Sequence, residues 1–215
     1  MNPFKLASAL LSYPSAELQI AVQQELRAVL QQDSSWQTVL PLLDTLADQD
    51  LIALQERYVA TFDRNPNHSL HLFEHLHGEN RDRGDAMVNL LQEYQAQGFE
   101  PQGYELPDYL PLFLEFLSLQ NEAHAAELLG EAVHVIAYIR DNSQKNESLY
   151  ATVLSVVIAL SPAEPQPLKV APIRDMDEAL ETFGPLMDGT EPLLTPKPND
   201  VQIVKIRAQQ QNMKI

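Results

Sequence analysis

Apolar side chains recur at three- and four-residue intervals along most of this chain, and the strict alternation that marks a half-buried strand is almost absent. Asn2-Pro3 sets a capping side chain before a proline at the first helical position, and Phe4, Ala7 and Leu11 follow on one stripe, so a first helix is predicted to end near Tyr13. Ser15 caps a second, with Leu18, Val22, Leu26 and Leu30 four apart until Gln31-Gln-Asp-Ser-Ser35 breaks the pattern. Trp36 to Leu46 and Asp50 to Phe62 read as a third and a fourth. Leu70 to His77 suggests a brief helix closed by Gly78, and Ala86 to Tyr94 the heart of another, closed by Gly98. A helix starting near Leu110 follows, then Glu127 to Ile139 and Leu149 to Leu160. The expectation is an all-α, single-domain bundle of roughly eight helices over residues 1–160.

The pattern changes at Ser161. Eight of the fifteen prolines fall between there and residue 200. Proline at that density interrupts helix, so 161–215 is expected to be a proline-rich, partly disordered tail with at most a turn or two around Asp177 to Phe183. Charge is uneven as well: residues 1–160 hold 22 acidic and 8 basic side chains, net −14 of the −16 for all 215 residues. Such a body repels phosphate backbones and favours basic partners, so a nucleic-acid partner is not expected. With no cysteine, disulfides, thiolate-held clusters and thiol nucleophiles drop out. Leu6 to Leu11 is too short for a secretory core. Leu149 to Leu160, broken by Thr152 and Ser155, falls well below the ~20 residues that cross a bilayer. It reads as a buried core helix, and no membrane span is expected.

Two blocks carry the candidate chemistry. In the first, His68, His71 and His75 would share a narrow helical arc beside the apolar Leu72, Phe73 and Leu76. His71-Leu-Phe-Glu74-His75 matches H-x-x-E-H, two imidazoles at i and i+4 with a carboxylate between, which would bind zinc if Glu127 or Glu131 supplied a third ligand. The ordinary alternative is a polar helix face whose histidines hydrogen-bond acidic neighbours. Arg81-Asp82-Arg83-Gly84-Asp85 reads as a solvated helix start, its acids suited to the positive end of the helix dipole.

The second block runs from Glu105 to Leu117. Asp108 is placed to cap a helix in whose first turn Pro111 is tolerated, and Leu110, Phe113, Leu114 and Leu117 form a core-facing stripe. Asp108 and Glu115, seven apart, would share another face, where capping and solvation are their ordinary roles. Beside Tyr109 and Phe116, such an acidic pair could also hold an arginine through charge-assisted hydrogen bonds and stacking.

These blocks resemble the delta-subunit family of respiratory nitrate reductases, the molybdenum-cofactor assembly chaperones within the redox-enzyme maturation proteins. The resemblance covers roughly residues 5 to 160. It rests on Tyr58-Val59 with Phe62-Asp63, on Leu72-Phe73-Glu74-His75-Leu76-His77-Gly78-Glu79 running into Arg81-Asp82-Arg83-Gly84, on Ala86-Met87, and on the whole second block. It implies an all-helical cytoplasmic chaperone with no turnover and no permanently bound cofactor. Such a protein binds the apo catalytic (alpha) subunit of nitrate reductase, partly through that subunit's N-terminal leader peptide, a twin-arginine-like remnant. It keeps the subunit competent for insertion of the molybdenum cofactor and an iron–sulfur centre, handling the cofactor only through the partner, with cofactor-biosynthesis proteins as further contacts. Wider-family members carry an acidic-proline-Asp-His pattern at the leader-binding surface; here Glu105-Leu-Pro-Asp108 matches, and Tyr109 stands in the histidine position.

The partner-binding candidates are therefore Tyr58, Phe62, His71, Glu74, His75, Arg81, Arg83, Glu105, Asp108, Tyr109 and Glu115. An apolar groove would take the leader's hydrophobic face while Asp108, Glu105 or Glu115 meets its basic end. The rival readings are a zinc-dependent hydrolase using His71, Glu74 and His75, and a generic helical adaptor.

Overall fold

Asn2 closes the start of the first helix, α1 (Pro3–Leu11), its side-chain oxygen accepting from the Phe4 and Lys5 amides at 2.9 and 3.3 Å. Ser15 does the same for α2 (Ala16–Ala21), which runs through a π-helical turn (Val22–Leu26) into α3 (Arg27–Leu30). The predicted helix from Trp36 starts as a 3-10 segment (Ser34–Val39), because Asp33 accepts from the Ser35 amide and tightens the entry; α4 (Leu40–Asp48) then follows. Asp50 caps α5 (Leu51–Tyr58), continued by a second π turn (Val59–Asp63). After a 3-10 turn (Pro66–His68) come α6 (Leu72–His77), α7 (Asp82–Ala96), α8 (Leu110–Leu119), α9 (Glu122–Lys145) and α10 (Tyr150–Ala159).

This is a computed structural model that describes residues 1–77, 82–101, 103 and 105–168, all within one compact unit, Met1–Pro172. The helical turn expected near Asp177 to Phe183 lies outside the described residues. Among those described, every regular element is a helix, the sole strand-like feature is an isolated antiparallel bridge between His71 and Tyr109, and no helix is long and apolar enough to cross a membrane.

The core lies where α1 packs against α8 and α10, and α10 against α9. The α8 stripe is buried as its spacing predicts, Leu110 and Leu114 completely, joined by Phe116. α10 buries Tyr150, Ala151, Val153, Leu154, Val156 and Val157, the outcome for a helix apolar on most of its surface. Polar side chains tie the periphery to this core. Gln19 Nε2 donates to the Leu46 and Gln49 carbonyls at 3.0 and 2.7 Å, satisfying orphan acceptors at the end of α4, and Ser8 Oγ donates to the Pro111 carbonyl at 2.7 Å. Past residue 160 the chain lies along α9, where Ala163 faces Gly130 and the Gln166 amide donates to His134 Nδ1 at 2.9 Å.

Two α8 leucines of opposite exposure test this packing. Leu114→Ala should cost about 2–5 kcal/mol in denaturant unfolding, whereas Leu119→Ala, at a side chain 64% exposed, should change stability by less than about 0.5 kcal/mol.

Candidate functional site

The site forms where two distant pieces of chain run side by side. Leu70 to Leu72 and Asp108 to Leu110 pair antiparallel over one bridge: the Leu110 amide donates to the Leu70 carbonyl at 2.8 Å, and the Leu72 amide to the Asp108 carbonyl at 3.0 Å. A turn closed by the Tyr109 amide on the Leu106 carbonyl, 3.0 Å, aims the Asp108 side chain at the first turn of α6. There Asp108 Oδ2 accepts from the Phe73 amide at 3.1 Å.

Asp108 therefore caps a helix, but not the one its position suggests. The residue before α8 is Tyr109, which makes no side-chain cap, and Asp108 serves α6 from 35 residues away. Its carboxylate is 0% exposed, and a buried charge must be compensated by donors and opposite charge. The α6 N-terminus supplies one donor and a favourable dipole. His71 Nδ1, 3.2 Å from Oδ1, supplies a second. Arg83, from the first turn of α7, places Nη2 3.9 Å from Oδ2 and 3.2 Å from Glu74 Oε1.

Tyr109 carries the site into the core. Its hydroxyl lies 2.8 Å from that of Tyr58, which donates to the Leu11 carbonyl at 2.9 Å. Tyr109 is thus the donor between the two. Burial pushes both phenols up, Tyr109 to about 12, and holds them neutral. Phe62 packs on Tyr58 and Tyr150 at ring distances of 4.8 and 4.9 Å, and Tyr13 meets Tyr58 edge-on at 5.5 Å.

The predicted residues thus divide. His71, Glu74, Arg83, Asp108 and Tyr109 come together, with Tyr58 and Phe62 as their buried support. Glu105 and Glu115 are exposed nearby in sequence, and Arg81 lies outside the described residues. Arg83 faces inward rather than sitting on a solvated helix start. The three histidines do not share one helical arc, because His68 belongs to the 3-10 turn and His71 to the bridge, both ahead of α6. The H-x-x-E-H reading loses its geometry with them. His71 faces Asp108, Glu74 meets Arg83, and His75 Nε2 donates to the Ser69 carbonyl at 2.8 Å, its ring 5.3 Å from Tyr138. No group of three His, Asp or Glu side chains among the described residues could hold a metal ion.

Sequence reasoning missed Tyr94, fully buried, whose hydroxyl donates to the Pro107 carbonyl at 2.8 Å and braces the Asp108 turn. Its ring lies 4.5 Å from Phe116. Beside it Glu93 meets His124 at 3.0 Å, joining α7 to the start of α9. The only signal was Tyr94 standing eleven residues after Arg83, on the same face of α7.

Burial opposes charge on His71, but the hydrogen bond and charge of Asp108, aided by Glu74, outweigh it and raise the imidazole above its ordinary 6.5. A folded pKa above the unfolded one stabilises the fold fully below about pH 6.5, and this contribution is lost as pH climbs through the higher folded value. His71→Gln should accordingly lower the denaturant midpoint more at pH 6 than at pH 8.5; an equal loss at both would show that the imidazolium contributes nothing. Asp108→Ala, which leaves Arg83 and the α6 terminus uncompensated, should cost about 3–5 kcal/mol in the same assay.

The family described as nitrate reductase delta subunit matches residues 16–154, a span that contains the whole Asp108 cluster. The nitrate reductase molybdenum cofactor assembly chaperone NarJ of Escherichia coli K12 is 37% identical over 161 residues, 73% of this chain and 68% of that one. The probable counterpart NarJ of Bacillus subtilis is 33% identical over 159 residues, 73% of this chain and 86% of its own. A candidate redox enzyme maturation protein of known structure from Archaeoglobus fulgidus shares the fold, with a TM-score of 0.56 at 22% identity over 74% of this chain and 92% of that one. On the extent of these matches, the chain belongs to the nitrate reductase delta subunit family.

Proposed function

We propose that this protein is a dedicated chaperone for the catalytic subunit of respiratory nitrate reductase. It binds the apo subunit in the cytoplasm, in part through the N-terminal leader remnant, and keeps it competent for molybdenum cofactor and iron–sulfur insertion before membrane docking. The observation that carries the reading is the family match across 16–154, together with relatives named as molybdenum cofactor assembly chaperones of nitrate reductase.

The physical character of the chain supports the same role. Its helical body carries net −14 over residues 1–160, which draws a basic, amphipathic leader toward it and speeds encounter more than it tightens the final complex. Asp108 is buried and engaged with its own neighbours, so the first charges a leader meets are the exposed Glu105 and Glu115. The cofactor is handled only through the partner.

Recovery of the full-length tagged chain from cells respiring nitrate tests the role directly. The apo catalytic subunit should accompany it in stoichiometric amount, and the cofactor-loaded subunit should not. Recovery of several unrelated proteins without that subunit would replace the dedicated chaperone with a generic adaptor. For encounter, raising salt from 50 to 300 mM should slow association with a synthetic leader peptide by about tenfold or more. Glu105→Gln should slow it more than the remote Glu25→Gln, and equal effects would place the acidic anchor elsewhere.

A further inference from the structure

Arg83 is held less well than its surroundings require. Of its guanidinium nitrogens, Nη2 is within hydrogen-bond reach of Glu74 at 3.2 Å but stands 3.9 Å from Asp108, and Nε is buried with no acceptor among the described residues. A guanidinium has five donors in a fixed fork, and a buried one left unmatched gives up its water without gaining an acceptor. The two carboxylates nonetheless form a seat for a guanidinium, at the surface side of which Glu74 and Arg83 are 28% and 21% exposed.

The helix that brings Arg83 there is lightly attached. Among the described side chains of α7 only Tyr94 is fully buried and only Leu90 otherwise packs against the main core, while Val88 is 53% exposed. By contrast the shorter α8 buries six side chains. α7 is fastened mainly at its two ends, by Arg83 on Glu74 and Asp108, and by Tyr94 on Pro107 with Glu93 on His124. It leads into Gly98 at φ 74°, a conformation that lets the chain turn at its C-terminal end.

We propose that Arg83 is an intramolecular plug, seated between Glu74 and Asp108 in place of an arginine of the bound leader, and that its displacement frees the N-terminal end of α7. The occupant rests on the leader-binding reading above. A leader guanidinium that meets both carboxylates through two parallel bonds replaces one that meets a single oxygen well. Arg83 then goes to solvent, and α7 swings about its Tyr94 end and uncovers its half-buried apolar face. The free protein is thereby kept partly closed, and its apparent affinity is lowered by the fraction of molecules that are open.

Two measurements on the full-length chain decide it: affinity for a synthetic leader peptide carrying arginine or its neutral isostere citrulline, and hydrogen exchange of the α7 amides. Arg83→Gln should bind the arginine peptide about five- to tenfold tighter than wild type, with no gain for the citrulline peptide, and Arg83→Lys should fall between. Glu74→Gln should bind more weakly. Both Arg83→Gln and Glu74→Gln should speed α7 exchange, leaving α9 and α10 as protected as before, which also verifies that the variants fold. Binding by Arg83→Gln that is unchanged or weaker overturns the plug while leaving the chaperone role intact, as does α7 exchange that does not respond. Absence of leader binding by every form overturns the occupant and the leader-binding reading together.

Discussion

A single buried negative charge organises this end of the protein. Taking a carboxylate fully out of water costs several kcal/mol even after relaxation, so Asp108 persists only because a helix terminus, an imidazole and a guanidinium converge on it. They come from two stretches of chain, the imidazole and helix terminus from residues 71–73 and the guanidinium from the start of α7. Compensation of one ion therefore joins the start of α6 and the start of α7 to the entry of α8, which the core already holds through Leu110 and Leu114. Next to it, the Tyr109–Tyr58–Leu11 hydrogen-bond chain ties the same turn to α1, at the centre of the core. The turn that carries Asp108 is in this way hydrogen-bonded to α1 through two phenol hydroxyls.

Much of the helical layout was legible because its signals are local. Asn2, Ser15 and Asp50 cap within three residues of themselves, the α8 stripe is a matter of spacing, and Gly98 takes a positive φ just past the end of α7. What could not be read depends on contacts across long separations. Asp108 sits directly ahead of an apolar helical run and looks like that helix's cap; only the pairing of 70–72 with 108–110 turns it toward α6. The same pairing puts His71 outside the helix it seemed to start, which removes the i, i+4 geometry that made H-x-x-E-H suggestive.

The inward position of Arg83 is hidden from the sequence for a related reason. Alternating charges at a helix start are ordinarily solvated, and nothing local marks one of them as the partner of a buried acid. The two π turns are a further case: Val22–Leu26 and Val59–Asp63 lie inside continuous helical runs whose side-chain spacing gives no sign of an extra residue in the turn. The second follows Tyr58 directly and contains Phe62, two residues of the aromatic support, so the irregular turn and the site share one stretch of chain.

The bridge between His71 and Tyr109 also sets an order of events during synthesis. A six-residue helix such as α6 is far below the length that is stable by itself in water. Its first two amides, Leu72 and Phe73, find their acceptors on residue 108, which leaves the ribosome after all of α6 and α7 have been made. Until then a stretch containing His71, Glu74 and Arg83 lacks the Asp108 carboxylate that gathers it, and closing that loop bears an entropic cost before the contacts to Asp108 reward it. The nascent chain must wait for its second half before this region acquires a shape, so ribosome-bound fragments ending short of the Pro107 turn would expose α6 and α7 to proteases, while α1 and α2 already carry their own caps.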